Sequence, residues 1–187
     1  MKYSTITITG QLGSGKSTVS KMLSTRLGWL YYSTGMAQRV IAQNRGITTI
    51  ELNRLAITDP SIDHEIDSVF KNPPWGKNPC VVDSRLAFYF LPQSLKVCLH
   101  VSPHVAAERV LAEKGRISES YSNVQEAESY LKKRMELEQA HFMKNYHLDI
   151  TNLHQFDLVI DTTCLTPDMV CEKIMENYDL VCVFERA

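Results

Sequence analysis

Eight consecutive residues, Gly10-Gln11-Leu12-Gly13-Ser14-Gly15-Lys16-Ser17, match G-x-x-x-x-G-K-[ST] in full. Gly10, Gly13 and Gly15 let the backbone curl so that successive N–H groups point inward at phosphate oxygens. Lys16 is then placed to reach the β- and γ-phosphates of a bound nucleotide, and the Ser17 hydroxyl to coordinate Mg2+. Ser14 and Thr18, inside and just after the motif, belong to the same ATP-binding set.

GTPases, ATPases and small-molecule kinases share such a cradle, so other positions must separate them. The chain contains no N-K-x-D guanine-reading segment and no D-x-x-G switch motif. A compact kinase is the reading that survives, and phosphoryl transfer asks the protein for positioning and positive charge rather than for a covalent nucleophile. Asp83 ends the apolar run Cys80-Val81-Val82, the place of a carboxylate holding Mg2+ or its water, or of a helix N-cap. Asp63 and Asp67 are four apart on one helical face, available to an exocyclic amine of an acceptor base or to solvent.

The elements that must position these groups follow from periodicity. Tyr3 to Thr9 alternates and is β-branched, predicting a strand that runs straight into the glycine loop. Val19, Met22, Leu23 and Leu27 recur at helical spacing, with Gly28 as a C-terminal stop. Further strands are predicted over Trp29–Tyr32, Cys80–Asp83, Leu95–Val101 and Phe156–Ile160. Helices are predicted over Gly35–Gln43, Thr49–Ile57, Ile62–Phe70, Pro103–Glu113, Val124–Tyr146 and Pro167–Tyr178, with Ser102 and Thr166 as N-caps before a first-turn proline. Strands alternating with helices imply a parallel sheet covered on both faces.

Composition narrows the partners. Lys+Arg number 20 against 21 Asp+Glu in 187 residues, so there is no broad field for a nucleic-acid polymer. The five cysteines show no zinc-site spacing and are expected as buried apolar residues in a reducing compartment. No signal peptide is expected before Gly10, nor an apolar run of membrane length, which predicts a soluble cytoplasmic protein.

Tyr32-Ser33-Thr34-Gly35 followed by Arg39 resembles the acceptor-binding turn and helix of adenylate and cytidylate kinases. The run from Pro60 to Asp67 and the segment Cys80 to Ala87 are similar to the archaeal-type branch of the cytidylate kinases, and the similarity extends from about Ile6 to Tyr178. The resemblance implies that Thr34, Gly35, Arg39 and Arg85 hold the acceptor's phosphate, with Asp63 and Asp67 beside its base. It implies further that Arg109 flanks the ATP base or phosphates, and that Arg116 and Arg134 fold over the transferring phosphoryl group. Two departures stand out: Ser33 and Met36 occupy places where relatives carry an acid, and Gln139, Ala140 and His141 stand where the family's lid helix has arginine. Lys132 and Lys133 are expected on a solvated face, and Asp149 and Asp161 as caps without chemistry.

The expected fold is a three-layer α/β/α P-loop NTPase fold with about five parallel strands. It comprises one domain over 1–187, with an acceptor-binding insertion at about 35–75 and a short lid at about 114–124. The expected activity is phosphorylation of CMP or dCMP by ATP with Mg2+, in a monomer, a dimer being the alternative state. A kinase for another small acceptor, or a weakly catalytic ATP-binding regulatory module, are the alternatives.

Overall fold

A computed structural model describes residues 3–56, 58–112 and 121–183. Along the chain they form β1 (Thr5–Gly10), α1 (Lys16–Leu27), β2 (Leu30–Ser33), α2 (Thr34–Asn44), α3 (Thr49–Ala56), α4 (Pro60–Asp67) and β3 (Cys80–Asp83). Then come α5 (Ala87–Phe90), β4 (Leu95–His100), α6 (Pro103–Ala112), α7 (Val124–Tyr146), β5 (Leu158–Asp161) and α8 (Pro167–Val183). All strand pairs are parallel, in the order β2-β3-β1-β4-β5.

Strand β1 explains how one sheet serves both core and site. Its side chains alternate, so Ile6 and Ile8 face one way into a core with Val19 and Leu23 of α1 and Val170, Cys171 and Ile174 of α8. Thr7 and Thr9, equally buried, face the other way. There Thr7 Oγ1 lies 3.1 Å from Ser94 Oγ, and Thr9 Oγ1 donates to the Arg85 carbonyl at 3.1 Å. A second cluster of Phe70, Trp75, Cys80, Val82 and Ala87 fills that side of β3.

Helix ends follow local chemistry. Thr48 and Glu51 form a reciprocal capping box at α3, with Thr48 N donating to Glu51 Oε2 at 2.7 Å and Glu51 N to Thr48 Oγ1 at 3.2 Å. Asp59 caps α4 through Ser61 N, Asn123 caps α7 through Glu126 N, and Gly28 stops α1 in the left-handed region at φ 65°.

Several boundaries differ from expectation for identifiable reasons. Trp29 precedes β2 because its N–H closes the end of α1 onto Ser24 O at 2.9 Å. Phe156 precedes β5 because its N–H ends a 3-10 turn at Leu153–Gln155. The Asp59 cap starts the predicted Ile62–Phe70 helix two residues early, and it gives way at Ser68 to a 3-10 turn. Helix α8 continues past Tyr178 to Val183, and α5 arises from four apolar residues. Three cysteines, Cys80, Cys98 and Cys171, are buried as expected, whereas Cys164 is exposed in the loop after β5. No helix among the described residues is long and apolar enough to cross a membrane.

Leu23 is fully buried between α1 and the sheet. Leu23→Ala is expected to lower stability by about 2–5 kcal/mol, seen as a reduced urea midpoint at unchanged slope.

Candidate active site

The glycine loop leaves the end of β1 and enters α1 in a conformation that requires glycine. Gly10, Gly13 and Gly15 have φ of 145°, 77° and 86°. A Cβ on Gly10 would lie 2.3 Å from Leu99 O, and one on Gly13 would lie 2.7 Å from the Ala106 backbone, so β4 and α6 pack directly against the loop. At Gly15 the same atom would meet nothing within 4 Å; there the left-handed backbone itself selects glycine.

Three side chains brace the loop, Gln11 from within it and Arg109 and Thr162 from outside. Gln11 Nε2 donates to Val101 O. Arg109 on α6 donates to Gly13 O at 3.3 Å and to Thr162 O at 2.7 Å. Thr162 Oγ1, at the end of β5, lies 3.2 Å from Ser14 O and 3.0 Å from His100 O. A cavity of about 420 Å3 opens beside this bracing, lined by the loop, Lys16, Ser17, Thr18, Arg109, Leu165 and Pro167.

Across the sheet, Ser17 Oγ donates to Asp83 Oδ2 at 2.6 Å, and Tyr31 OH reaches the same oxygen at 3.3 Å. Asp83 is 6% exposed. Its carboxylate faces the loop and caps no helix among the described residues. Ser17 and Asp83 supply hard oxygen donors side by side, the type of set that Mg2+ takes together with substrate phosphates. Burial, and next the Asp83 charge, push the Tyr31 hydroxyl up to about 12, so it stays a hydrogen-bond donor at neutral pH. Lys16 Nζ donates to Gln11 O at 3.1 Å, folded over the loop that it serves.

The acceptor-side residues gather at the same edge. Ser33, which ends β2, is in register with Asp83, and Thr34 and Gly35 open α2 directly after it. Arg39 is exposed one turn into α2, with Nη1 3.8 Å from the position of a Gly35 Cβ. Arg85 lies two residues past Asp83, its guanidinium facing α7, where Nη2 is 3.0 Å from Glu138 Oε2. Burial pushes this guanidinium below its usual range, against the pull of Glu138, yet a guanidinium stays charged.

Asp63 and Asp67 do share a face of α4, and that face meets α7. Asp63 Oδ2 pairs with His141 Nε2 at 2.9 Å and accepts from Asn145 Nδ2 at 3.2 Å. Asp67 Oδ2 accepts from Tyr146 OH at 2.5 Å. Of the two alternatives, a freely solvated face does not hold: long-range polar contacts hold both carboxylates. Their Oδ1 atoms have no hydrogen-bond partner among the described residues.

Arg134 also lies on α7, and its Nε donates to Glu138 Oε1 at 3.3 Å, while Lys132 and Lys133 are exposed as expected. Arg116 lies outside the described residues. Gln139 has a role that arginine could not fill. Its Nε2 donates to Asp149 Oδ1 at 2.8 Å and its Oε1 accepts from Ile150 N at 3.1 Å, bracing the turn after α7. Asp149 and Asp161 accept from Thr151 and Thr163 in local turns. Sequence reasoning missed Tyr31, Thr162, Glu138, Asn145 and Tyr146, whose partners are far along the chain; only Glu138, one turn beyond Arg134, carried a local signal.

A parallel five-stranded sheet with this cradle at the end of β1 defines a P-loop NTPase-type α/β chain. Residues 5–164 match the model of the cytidylate kinase-like family, and the chain belongs to that family. It is 32% identical over 167 residues to a cytidylate kinase of Natronomonas pharaonis, covering 88% of this chain and 84% of the relative. It is 34% identical over 175 residues to an S-adenosylmethionine-dependent nucleotide dehydratase of Lacinutrix mariniflava, covering 92% of this chain but only 35% of that relative. The fold is similar to shikimate kinase from Bacteroides thetaiotaomicron, with TM-score 0.65, 15% identity and coverage of 94% and 98% of the two chains.

Burial raises the Asp67 carboxyl to about 6, the Tyr146 hydrogen bond opposing the shift. A carboxyl whose folded value lies above its unfolded one contributes stability that is fully present below about pH 4 and is lost as pH rises through about 6. Asp67→Asn should remove that slope, so urea unfolding at pH 4, 5, 6 and 7 should show wild type losing stability relative to the variant across this window.

Proposed function

We propose that this chain is an ATP-dependent nucleoside monophosphate kinase whose preferred acceptor is CMP or dCMP. The observation that carries the proposal is the 2.6 Å bond from Ser17 to Asp83, because it joins the phosphate cradle to the strand whose next turn bears Arg85. Donor cradle and acceptor clamp thus share one sheet edge, as transfer between two bound nucleotides requires.

In this reading Gly10, Gly13, Ser14, Gly15, Lys16, Ser17 and Thr18 bind the ATP phosphates, and Arg109 borders the cavity for its base. Ser17 and Asp83 hold Mg2+, which when bound neutralises charge on the β- and γ-phosphates. Thr34, Gly35, Arg39 and Arg85 bind the acceptor's phosphate. An oxygen of that phosphate attacks the γ-phosphorus, the bond to the β-phosphate oxygen breaks, and ADP leaves with the bridging electrons. Lys16, Arg134 and Arg116 stabilise charge on the moving group. The Oδ1 atoms of Asp63 and Asp67 are suited to accept from an exocyclic amine, which cytosine carries and uracil lacks. We further propose one kinase domain, with its acceptor insertion at about 35–75 and its lid at about 114–124, acting as a cytoplasmic monomer.

ADP release from Mg·ATP with CMP, dCMP, UMP, AMP or GMP offered singly tests the reading. Turnover should be fastest with CMP or dCMP and fall by roughly 100-fold or more in Lys16→Ala. Silence with every acceptor, in a protein that binds ATP, contradicts it in favour of another small acceptor or of a binding module.

A further inference from the structure

Glu138 is a part-buried charge that the proposed kinase reading does not use. It sits on α7 one turn after Arg134 and faces the segment that follows β3. Its Oε1 accepts from Arg134 Nε at 3.3 Å and its Oε2 lies 3.0 Å from Arg85 Nη2, so one carboxylate joins two guanidiniums from distant parts of the chain. The Arg85 and Glu138 side chains are only 23% and 21% exposed. Oε2 is shielded from solvent and has no aligned hydrogen-bond donor among the described residues, so charge rather than directional bonding holds it to Arg85.

The arrangement leaves Arg85 half used. Its backbone is pinned by Thr9, whose hydroxyl donates to the Arg85 carbonyl at 3.1 Å. Its guanidinium brings Nη2 to 3.0 Å from Glu138 Oε2, and Nε and Nη1 make no hydrogen bond to a described residue. Those unpaired donors are what a phosphate takes bidentately. Two guanidiniums brought this close repel each other, and that repulsion grows as the surroundings become less polar. A carboxylate between them removes it while leaving donor edges for an incoming anion.

We propose that Glu138 is a positioning residue for phosphoryl transfer: it holds Arg85 and Arg134 side by side so that the acceptor's phosphate meets Arg85 while Arg134 faces the moving group. The inference rests on the proposed kinase reading and goes beyond it, because Glu138 itself touches neither substrate.

The test uses the full chain with Glu138→Gln, Glu138→Asp, Arg134→Ala and the Arg134→Ala/Glu138→Gln double variant. Glu138→Gln should lower kcat with CMP about tenfold or more while the KM for ATP and the melting temperature hold, and Glu138→Asp, which keeps the charge, should recover part of the loss. In the Arg134→Ala background the Gln substitution should cost clearly less than in wild type, because only the Arg85 half of its role remains. Unchanged kcat, an additive cycle, or ATP binding and melting temperature falling together with kcat overturns the proposal. A second readout does not need turnover: the Arg134 Nε–H signal in 15N spectra should be protected from exchange in wild type and lose that protection in Glu138→Ala, which removes the accepting oxygen. An Arg134 signal unaffected by Glu138→Ala overturns the proposal whatever the turnover. A wild type with that protection but no transfer to any monophosphate overturns the kinase reading instead, and with it the catalytic part of this one.

Discussion

Parallel register between β1 and its two neighbours is the constraint on which the rest depends. Pairing Ile8 with Asp83 and Gly10 with Leu99 sets the strand ends level, so the loop after β1, the carboxylate ending β3 and the carbonyls ending β4 arrive at one edge. Crevices at the carboxyl ends of such strands are where open α/β sheets bind ligands. The glycines are the local price of that alignment, since Leu99 O and the Ala106 backbone leave no space for a side chain at Gly10 or Gly13.

Two kinds of support then divide the site. Backbone carbonyls, Thr162 and Arg109 fix the cradle, and a seated cradle presents its N–H groups without rearranging when charge develops. Arg85, Asp63 and Asp67 are instead held by side chains from α7. Arg134, Glu138, His141 and Asn145 recur at helical spacing, so one face of that helix meets Arg85 near its middle and Asp63 further along. At 1.5 Å per residue, Glu138 and Asn145 stand roughly 10 Å apart along the helix axis, so the same face reaches Arg85 at one end and Asp63 at the other.

What could be read without coordinates was local. The cradle is contiguous and sits between a strand and a helix, so its geometry follows from eight residues. Strands β1, β3 and β4 were legible because a buried parallel strand is a short apolar run bounded by polar residues. Trp29 and Phe156 were read as strand because they are apolar, whereas their N–H groups close the preceding turns. Ala87–Phe90 carries no helical periodicity in four residues, and only packing beneath β1 makes it a helix. The partners of Asp83, Asp63 and Asp67 were not legible, because Ser17 and Tyr31 on the one and α7 on the others lie far along the chain. Gln139 and His141 looked like lost cations by comparison with arginine-rich relatives. The first braces a turn and the second pairs with Asp63, and neither contact can be inferred from spacing along one chain.

If the proposed kinase reading holds, one sheet edge brings donor and acceptor together and the γ-phosphoryl group goes to the acceptor rather than to water. A single-turnover reaction, with protein in excess over γ-labelled ATP and CMP present, measures this most directly. The account predicts that the label appears in CDP with little inorganic phosphate. Label released as inorganic phosphate, or left in ATP, would contradict it.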